Sequence, residues 1–111
     1  MAILLSIVIF LSTVLPSTAQ LGLASIYSGG RTARGDYLYG HEMAVAHRWL
    51  PLGTRILIVN KTTGRRVIAV VRDRGPYAGR GKIVDCLPRV ASALGFGYRQ
   101  GLARVELFRV L

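Results

Sequence analysis

A mainly β fold, closed as a small barrel and carrying one short helix, is what this sequence predicts, and three observations carry the prediction. Runs rich in β-branched residues, Thr54 to Asn60 and Arg65 to Arg72 foremost, recur between turns bearing Gly and Pro. Helix punctuation is confined to one stretch, about Pro88 to Leu94, where Pro88 suits the first helical position and Gly95 the residue beyond the last turn. The single cysteine, Cys86, offers no internal disulfide, so a chain of 111 residues must close by packing and strand pairing. Closing the sheet on itself also removes exposed edges.

Taken in order, the first segment reads as an export signal. Ile3 to Leu11 is apolar apart from Ser6, and Ser17-Thr18-Ala19 supplies small residues for cleavage near Ala19. The expected division is 1–19 as signal peptide and 20–111 as one domain, placed in the periplasm or secreted. No Lys or Arg precedes the apolar run, so an uncleaved anchor is the alternative. The run is short beside the roughly 20 residues of a bilayer span, and no stable membrane insertion is expected after cleavage.

Leu21 to Tyr27 reads as the first strand, broken by Ser28-Gly29-Gly30. Arg31 to His41 follows neither the helix nor the strand period and reads as a polar loop, the kind of segment that carries function in compact domains. Glu42 to Arg48 fits a short strand or one helical turn, and Leu50 to Thr54 reverses the chain. The two β-branched runs then form a hairpin about Lys61-Thr62-Thr63-Gly64. A loop from Gly75-Pro76 through Gly81 leads to a short strand, Lys82 to Asp85, in whose apolar continuation Cys86 reads as a buried, inert thiol. Gly101 to Leu111 closes the domain with Leu102, Arg104, Glu106 and Phe108 on one face and Ala103, Val105, Leu107 and Arg109 on the other.

A formal charge of +10 calls for an anionic partner or surroundings: nucleic acid, a membrane surface or an acidic polymer. The basic residues are scattered from Arg31 to Arg109 with no dense run and no interleaved aromatics, which argues against a nucleic-acid groove. A monomer is expected.

Only five acidic residues stand against fifteen Lys and Arg, so each carboxylate can be weighed. Asp73 leaves the end of the Arg65 to Arg72 run and enters the Gly75-Pro76 turn, either as a chemical group or as a turn residue. Glu106 reads as the surface partner of an Arg. Asp85, near the helix start, reads as a capping carboxylate meeting the helix dipole. Glu42 has no motif. Asp36 lies in the polar loop, as a functional group or in an Asx-type turn. His47, close to Trp49, is by itself as compatible with packing as with chemistry. His41 and His47 lack the ligand set and spacing of a zinc site, so neither a metal nor another cofactor is expected.

Read together, several stretches carry a resemblance: Ala24-Ser25-Ile26-Tyr27, Thr32-Ala33-Arg34-Gly35-Asp36, Ala44-Val45-Ala46-His47 through Leu52-Gly53-Thr54, Arg72-Asp73-Arg74-Gly75-Pro76-Tyr77, Ile83-Val84-Asp85, Ala91 to Gly95 and Gly101 to Val105. In this order and spacing they resemble the rare lipoprotein A (RlpA) family across essentially the whole chain beyond the signal segment. The resemblance implies a six-stranded double-psi β-barrel with one or two short helices, a fold shared with expansin-like wall-loosening proteins. It further implies an endolytic peptidoglycan lytic transglycosylase that cuts glycan strands between MurNAc and GlcNAc and leaves 1,6-anhydro ends. Family members often carry a lipid-attachment cysteine and a C-terminal peptidoglycan-binding domain. Neither is read here, so anchoring and septal targeting are not carried over.

The same resemblance makes Asp73, within Asp-Arg-Gly-Pro, the catalytic carboxylate, and His47 the site histidine that orients Asp73 or binds a glycan hydroxyl. Asp36 falls where the family usually has Glu, eleven residues before His47. The exchange shortens the reach by about 1.5 Å. Tyr27, Tyr77 and Arg74 are the candidate substrate-binding residues, the tyrosines because aromatic faces suit sugar rings. Lytic cleavage needs an acid for the departing oxygen and a base for the sugar's own C6 hydroxyl. One carboxyl can serve both in turn, whereas hydrolysis usually takes two. Arg72 and Arg74 flank Asp73, but in an extended chain they point to the opposite face. The alternative function is a non-catalytic, expansin-like wall-binding module.

Overall fold

The computed structural model describes residues 19–110. Apart from Ala19, the expected signal segment lies outside the described residues. The described chain folds into β1 (Gln20–Ile26), β2 (Gly30–Arg31), β3 (Tyr37–Leu38), β4 (Ala44–Ala46), β5 (Arg55–Asn60), β6 (Arg66–Asp73), β7 (Lys82–Cys86), the helix α1 (Pro88–Leu94) and β8 (Leu102–Arg109). Six strands close a barrel in the order β1-β7-β4-β6-β5-β8, while β2 and β3 form a separate two-stranded ribbon. Two neighbouring pairs run parallel, β1 with β7 and β4 with β6, and the other four run antiparallel. This is the double-psi β-barrel.

The barrel interior follows from alternation along the strands. Ile56 and Ile58 of β5, Ala69 and Val71 of β6, Val84 and Cys86 of β7, and Val105 and Leu107 of β8 all face one buried cluster. The reading of β8 as an amphipathic closing strand thus holds, with Val105 and Leu107 on the core face. Each such aliphatic side chain contributes about 1.5–3 kcal/mol by leaving water. Burial also holds the Cys86 thiol in its neutral form, far above the ordinary cysteine range.

α1 adds Val90, Ala91 and Leu94 to the same cluster. Pro88 opens it, and Gly95 ends it in the left-handed region at φ 83°, where its N–H donates to Ser92 O and that of Phe96 to Ala91 O. That pattern is a Schellman cap. The free Leu94 carbonyl accepts from Asn60 Nδ2 at 2.8 Å and Thr63 Oγ1 at 3.2 Å, which ties the β5–β6 hairpin to the helix.

Three local expectations are corrected. The stretch from Arg31 to His41 contains the β2–β3 ribbon rather than loop alone, and Gly29 enters it at φ 96°, where a Cβ would strike Leu38 O. Asp85 does not cap α1: the N-cap residue is Leu87, with no side-chain cap, because Asp85 belongs to β7 and bonds across to β1 instead. Glu106 pairs with Lys61 at 3.3 Å, not with an Arg, because it lies in register with Val59 of β5 and Lys61 follows directly on that strand. The Glu42 to Arg48 segment resolves as strand β4, paired on both sides.

Candidate active site

Asp73 is the last residue of β6, and the chain places donors around it. Its Oδ1 accepts from the main-chain N–H of Arg74 at 2.8 Å and of Ala33 at 2.9 Å. Its Oδ2 faces the Tyr27 hydroxyl at 3.5 Å, the outer limit of a hydrogen bond. Each of these three protein groups donates to the carboxylate. Oδ2 is the oxygen less fully engaged.

The two neighbouring arginines are committed elsewhere. Arg72 Nη2 pairs with Asp36 Oδ2 at 2.6 Å and its Nη1 with Glu42 Oε1 at 3.4 Å. Arg74 Nη1 donates to His47 O at 3.1 Å and Leu50 O at 2.6 Å. Arg74, expected to bind substrate, thus braces the turn from His47 to Leu50.

Asp36 is not brought against Asp73. Its carboxylate accepts from the Thr32 hydroxyl and from Arg72. Thr32 Oγ1 also accepts from Arg34 N at 3.2 Å, and Thr32 N donates to Asp36 O at 2.8 Å. The loop closed by these bonds carries Ala33, whose N–H reaches Asp73. The Thr32 and Arg72 bonds together hold the Asp36 carboxyl below the ordinary carboxylate range.

His47 is 1 % exposed, and both ring nitrogens are occupied within the chain. Nδ1 accepts from Trp49 N at 3.2 Å and Leu50 N at 3.1 Å, which puts the proton on Nε2, 3.0 Å from Gln20 Oε1. Burial, then the nearby Arg74 and Arg48 charges, lowers its pKa to about 4, so the ring is neutral at physiological pH. Expected to orient Asp73 or meet a glycan through its ring, His47 instead touches Asp73 only through the main chain, its N–H donating to Asp73 O at 3.0 Å.

Tyr27 packs against the cluster of Leu38, Ala44 and Leu87 and turns its hydroxyl toward Asp73. Burial and the charges of Asp73 and Asp85 push that hydroxyl's pKa far above the tyrosine range, so it is a proton donor at any working pH. Tyr77, on the loop after Asp73, is 77 % exposed. The sequence reading gave Thr32, Arg72 and Ser25 no role in the site and read Asp85 as a helix cap. For Asp85 a signal existed: Val84 and Cys86 are core positions, so the intervening Asp must face the other side of the strand. A concavity of about 600 Å³ between Leu21 and Glu106 contains none of the site residues. No group of three or more His, Cys, Asp or Glu suited to a metal occurs among the described residues. Among them, too, no helix is long and apolar enough to cross a membrane.

The family described as lytic transglycolase matches residues 19–107. An endolytic peptidoglycan transglycosylase RlpA from Rickettsia bellii is 37 % identical over 82 % of this chain and 42 % of its own length. A probable one from Aquifex aeolicus is 46 % identical over 77 % of this chain and 38 % of its own. The chain thus spans about two fifths of each of these relatives. Among solved structures, a Streptomyces papain inhibitor superposes at a TM-score of 0.65 with 19 % identity, covering 87 % of this chain and 98 % of that one. A Clavibacter michiganensis expansin, solved with cellohexaose, superposes at 0.65 with 19 % identity over 85 % of this chain and 51 % of its own. At that identity the likeness is one of fold.

Proposed function

The chain belongs to the lytic transglycolase family, and on that premise we propose that it cleaves peptidoglycan glycan strands internally, between MurNAc and GlcNAc, to leave 1,6-anhydro ends. The observation that carries this reading is Asp73: a carboxylate at a strand end, fixed by two main-chain N–H groups, with one oxygen toward a tyrosine hydroxyl. Such fixing holds the group in one geometry for proton transfer, which contributes about 10²–10⁴-fold to a rate. In the lytic reaction the C1–O bond breaks as the leaving oxygen is protonated, and the C6 hydroxyl oxygen closes on C1 after giving up its proton. No water is consumed.

His47, Arg74, Arg72 and Asp36 are positioning residues in this reading. The first two hold the turn beside Asp73, and the last two hold the Ala33 loop over it. Tyr27 and Tyr77 offer rings and hydroxyls to the sugars. The protein acts in the periplasm or outside the cell, where its net charge of +10 favours the anionic wall, and binding weakens as salt screens that attraction. Incubating the purified protein with glycan strands stripped of stem peptides tests the proposal. Mass spectrometry should find 1,6-anhydro ends. Retained strand binding without such ends would make the protein a wall-binding module instead.

A further inference from the structure

Leu38 of β3 is buried with Ala44 and Leu87, so its neighbours Tyr37 and Tyr39 project to the other face of the chain. They are 53 % and 57 % exposed, and the turn that follows brings the exposed His41 beside them. Ring centroids lie 4.8 Å apart for Tyr37 and Tyr39 and 5.9 Å apart for Tyr39 and His41, the latter two inclined by only 19°. The three rings form one strip on the surface. Contiguous exposed rings, unlike a lone exposed side chain, mark a surface made for contact.

The backbone beneath the strip is fixed. Glu42 Oε2 accepts from Tyr39 N at 2.7 Å and Glu42 N donates to Tyr39 O at 3.1 Å, which closes the turn that carries the rings. Arg89 of α1 donates from Nη1 to His41 O and from its main chain to Gly40 O, both at 3.0 Å. Side chains with two rotatable bonds on such a backbone lose little freedom when a ligand binds. The strip is also continuous with the candidate site. Tyr37 directly follows Asp36, which closes the loop whose Ala33 N–H reaches Asp73, and Arg72 joins Asp36 to Glu42. From Asp36 to Tyr39 the main chain spans at most about 10 Å.

We propose that Tyr37, Tyr39 and His41 form a distal glycan subsite, on which pyranose rings of the strand stack while Asp73 meets the bond to be cut. The inference rests on the function proposed above for the identity of its ligand and gives that ligand a further point of attachment. A pyranose carries C–H groups on its faces and hydroxyls at its edge. The C–H face lies against the electron-rich face of a tyrosine ring, and the tyrosine hydroxyls and His41 nitrogens bond to the edge hydroxyls. Three rings cover more than one sugar, so the ligand is an oligosaccharide strand. Contacts so far from the reacting bond are the same before and during the chemical step, and they lower KM without raising kcat.

The test uses the whole chain on glycan strands stripped of stem peptides, with binding read by co-sedimentation and cleavage by anhydro ends. Tyr37→Ala combined with Tyr39→Ala should bind strands at least about tenfold more weakly. Its KM should rise in proportion while kcat stays within about twofold of wild type. Tyr37→Phe combined with Tyr39→Phe keeps the ring faces and should bind within about threefold of wild type. Tyr98→Ala removes an equally open ring, 65 % exposed, from outside the strip and should change neither quantity. Wild-type binding and KM in the double Ala variant overturn the subsite and leave the function standing. A double Phe variant as weak as the double Ala variant overturns stacking as its mode. A wild type that forms no anhydro ends overturns the function alone, and weakened strand binding by the double Ala variant would still uphold the subsite. Should the double Ala variant fail to fold, the ring resonances of Tyr37 and Tyr39 in the wild type decide by nuclear magnetic resonance. They should shift as strands are added, and unmoved resonances overturn the subsite.

Discussion

The ends of β6 and β7 are alike in sequence and unlike in structure. Each run of aliphatic residues finishes near an aspartate, and the two aspartates flank the same residue, Ala46. At the β6 end the chain crowds Asp73 with N–H groups from its own successor and from the loop at Ala33. At the β7 end Asp85 meets a hydroxyl and little water. The difference comes from what each strand neighbours: β6 ends beneath the β2–β3 region, which brings main-chain donors, whereas β7 ends beside β1, which brings only Ser25. One fold thereby surrounds one carboxylate with main-chain donors and leaves the other half-buried, its pKa raised by desolvation.

Removing the Asp73 carboxylate is the strongest way to break this comparison. Asp73→Asn should lower product formation by about 10²–10⁴-fold with an unchanged circular dichroism spectrum.

Loosening the loop over Asp73 should cost less. Arg72→Ala frees Asp36 and Glu42 together and weakens the hold on Ala33. About a tenfold fall in kcat is expected with strand binding retained, since roughly 1.4 kcal/mol of misplacement is tenfold. An equal fall in binding would assign Arg72 to the substrate.

His47 sharpens the distinction between holding a site and acting in it. Its folded pKa, about 4, lies below the unfolded value near 6.5. Between those values the unfolded chain binds the proton and the folded chain does not. The stability it gives is thus complete above about pH 6.5 and lost as pH falls toward 4, on the order of 3 kcal/mol in all. Thermal melts across that window should fall more steeply for wild type than for His47→Gln. Parallel curves would show that the ring does not remain neutral in the fold.

Asp85→Asn should melt at or above the wild-type temperature at pH 7, because it removes a charge that the fold desolvates. A lower melting temperature would make Asp85 a structural anchor. The smallest effect is expected of Asp36→Glu: the exposed carboxylate keeps Arg72 and Thr32 within reach, and activity should stay close to wild type.

The barrel was legible because its information is local. Enrichment in β-branched residues marks Thr54 to Asn60 and Arg65 to Arg72 as strands, and Pro88 with Gly95 marks the helix. The β2–β3 ribbon was not, because Gly30–Arg31 and Tyr37–Leu38 are too short to show a period. In the site, Asp73 stood out by its strand-end position and its motif. The partners of His47 did not, since Gln20 lies 27 residues away and only barrel closure brings it near. Asp85 was misread for a related reason. Its neighbour in sequence is a helix start, while its neighbour in space is Ala46, and register across a mixed barrel leaves no mark in the chain.

The most direct measurement is digestion of stripped glycan strands in heavy-oxygen water. Intramolecular attack by the C6 hydroxyl takes no oxygen from solvent, so every new end should be unlabelled and one water lighter than a reducing sugar. Reducing ends carrying the heavy oxygen would contradict lytic chemistry and identify a hydrolase.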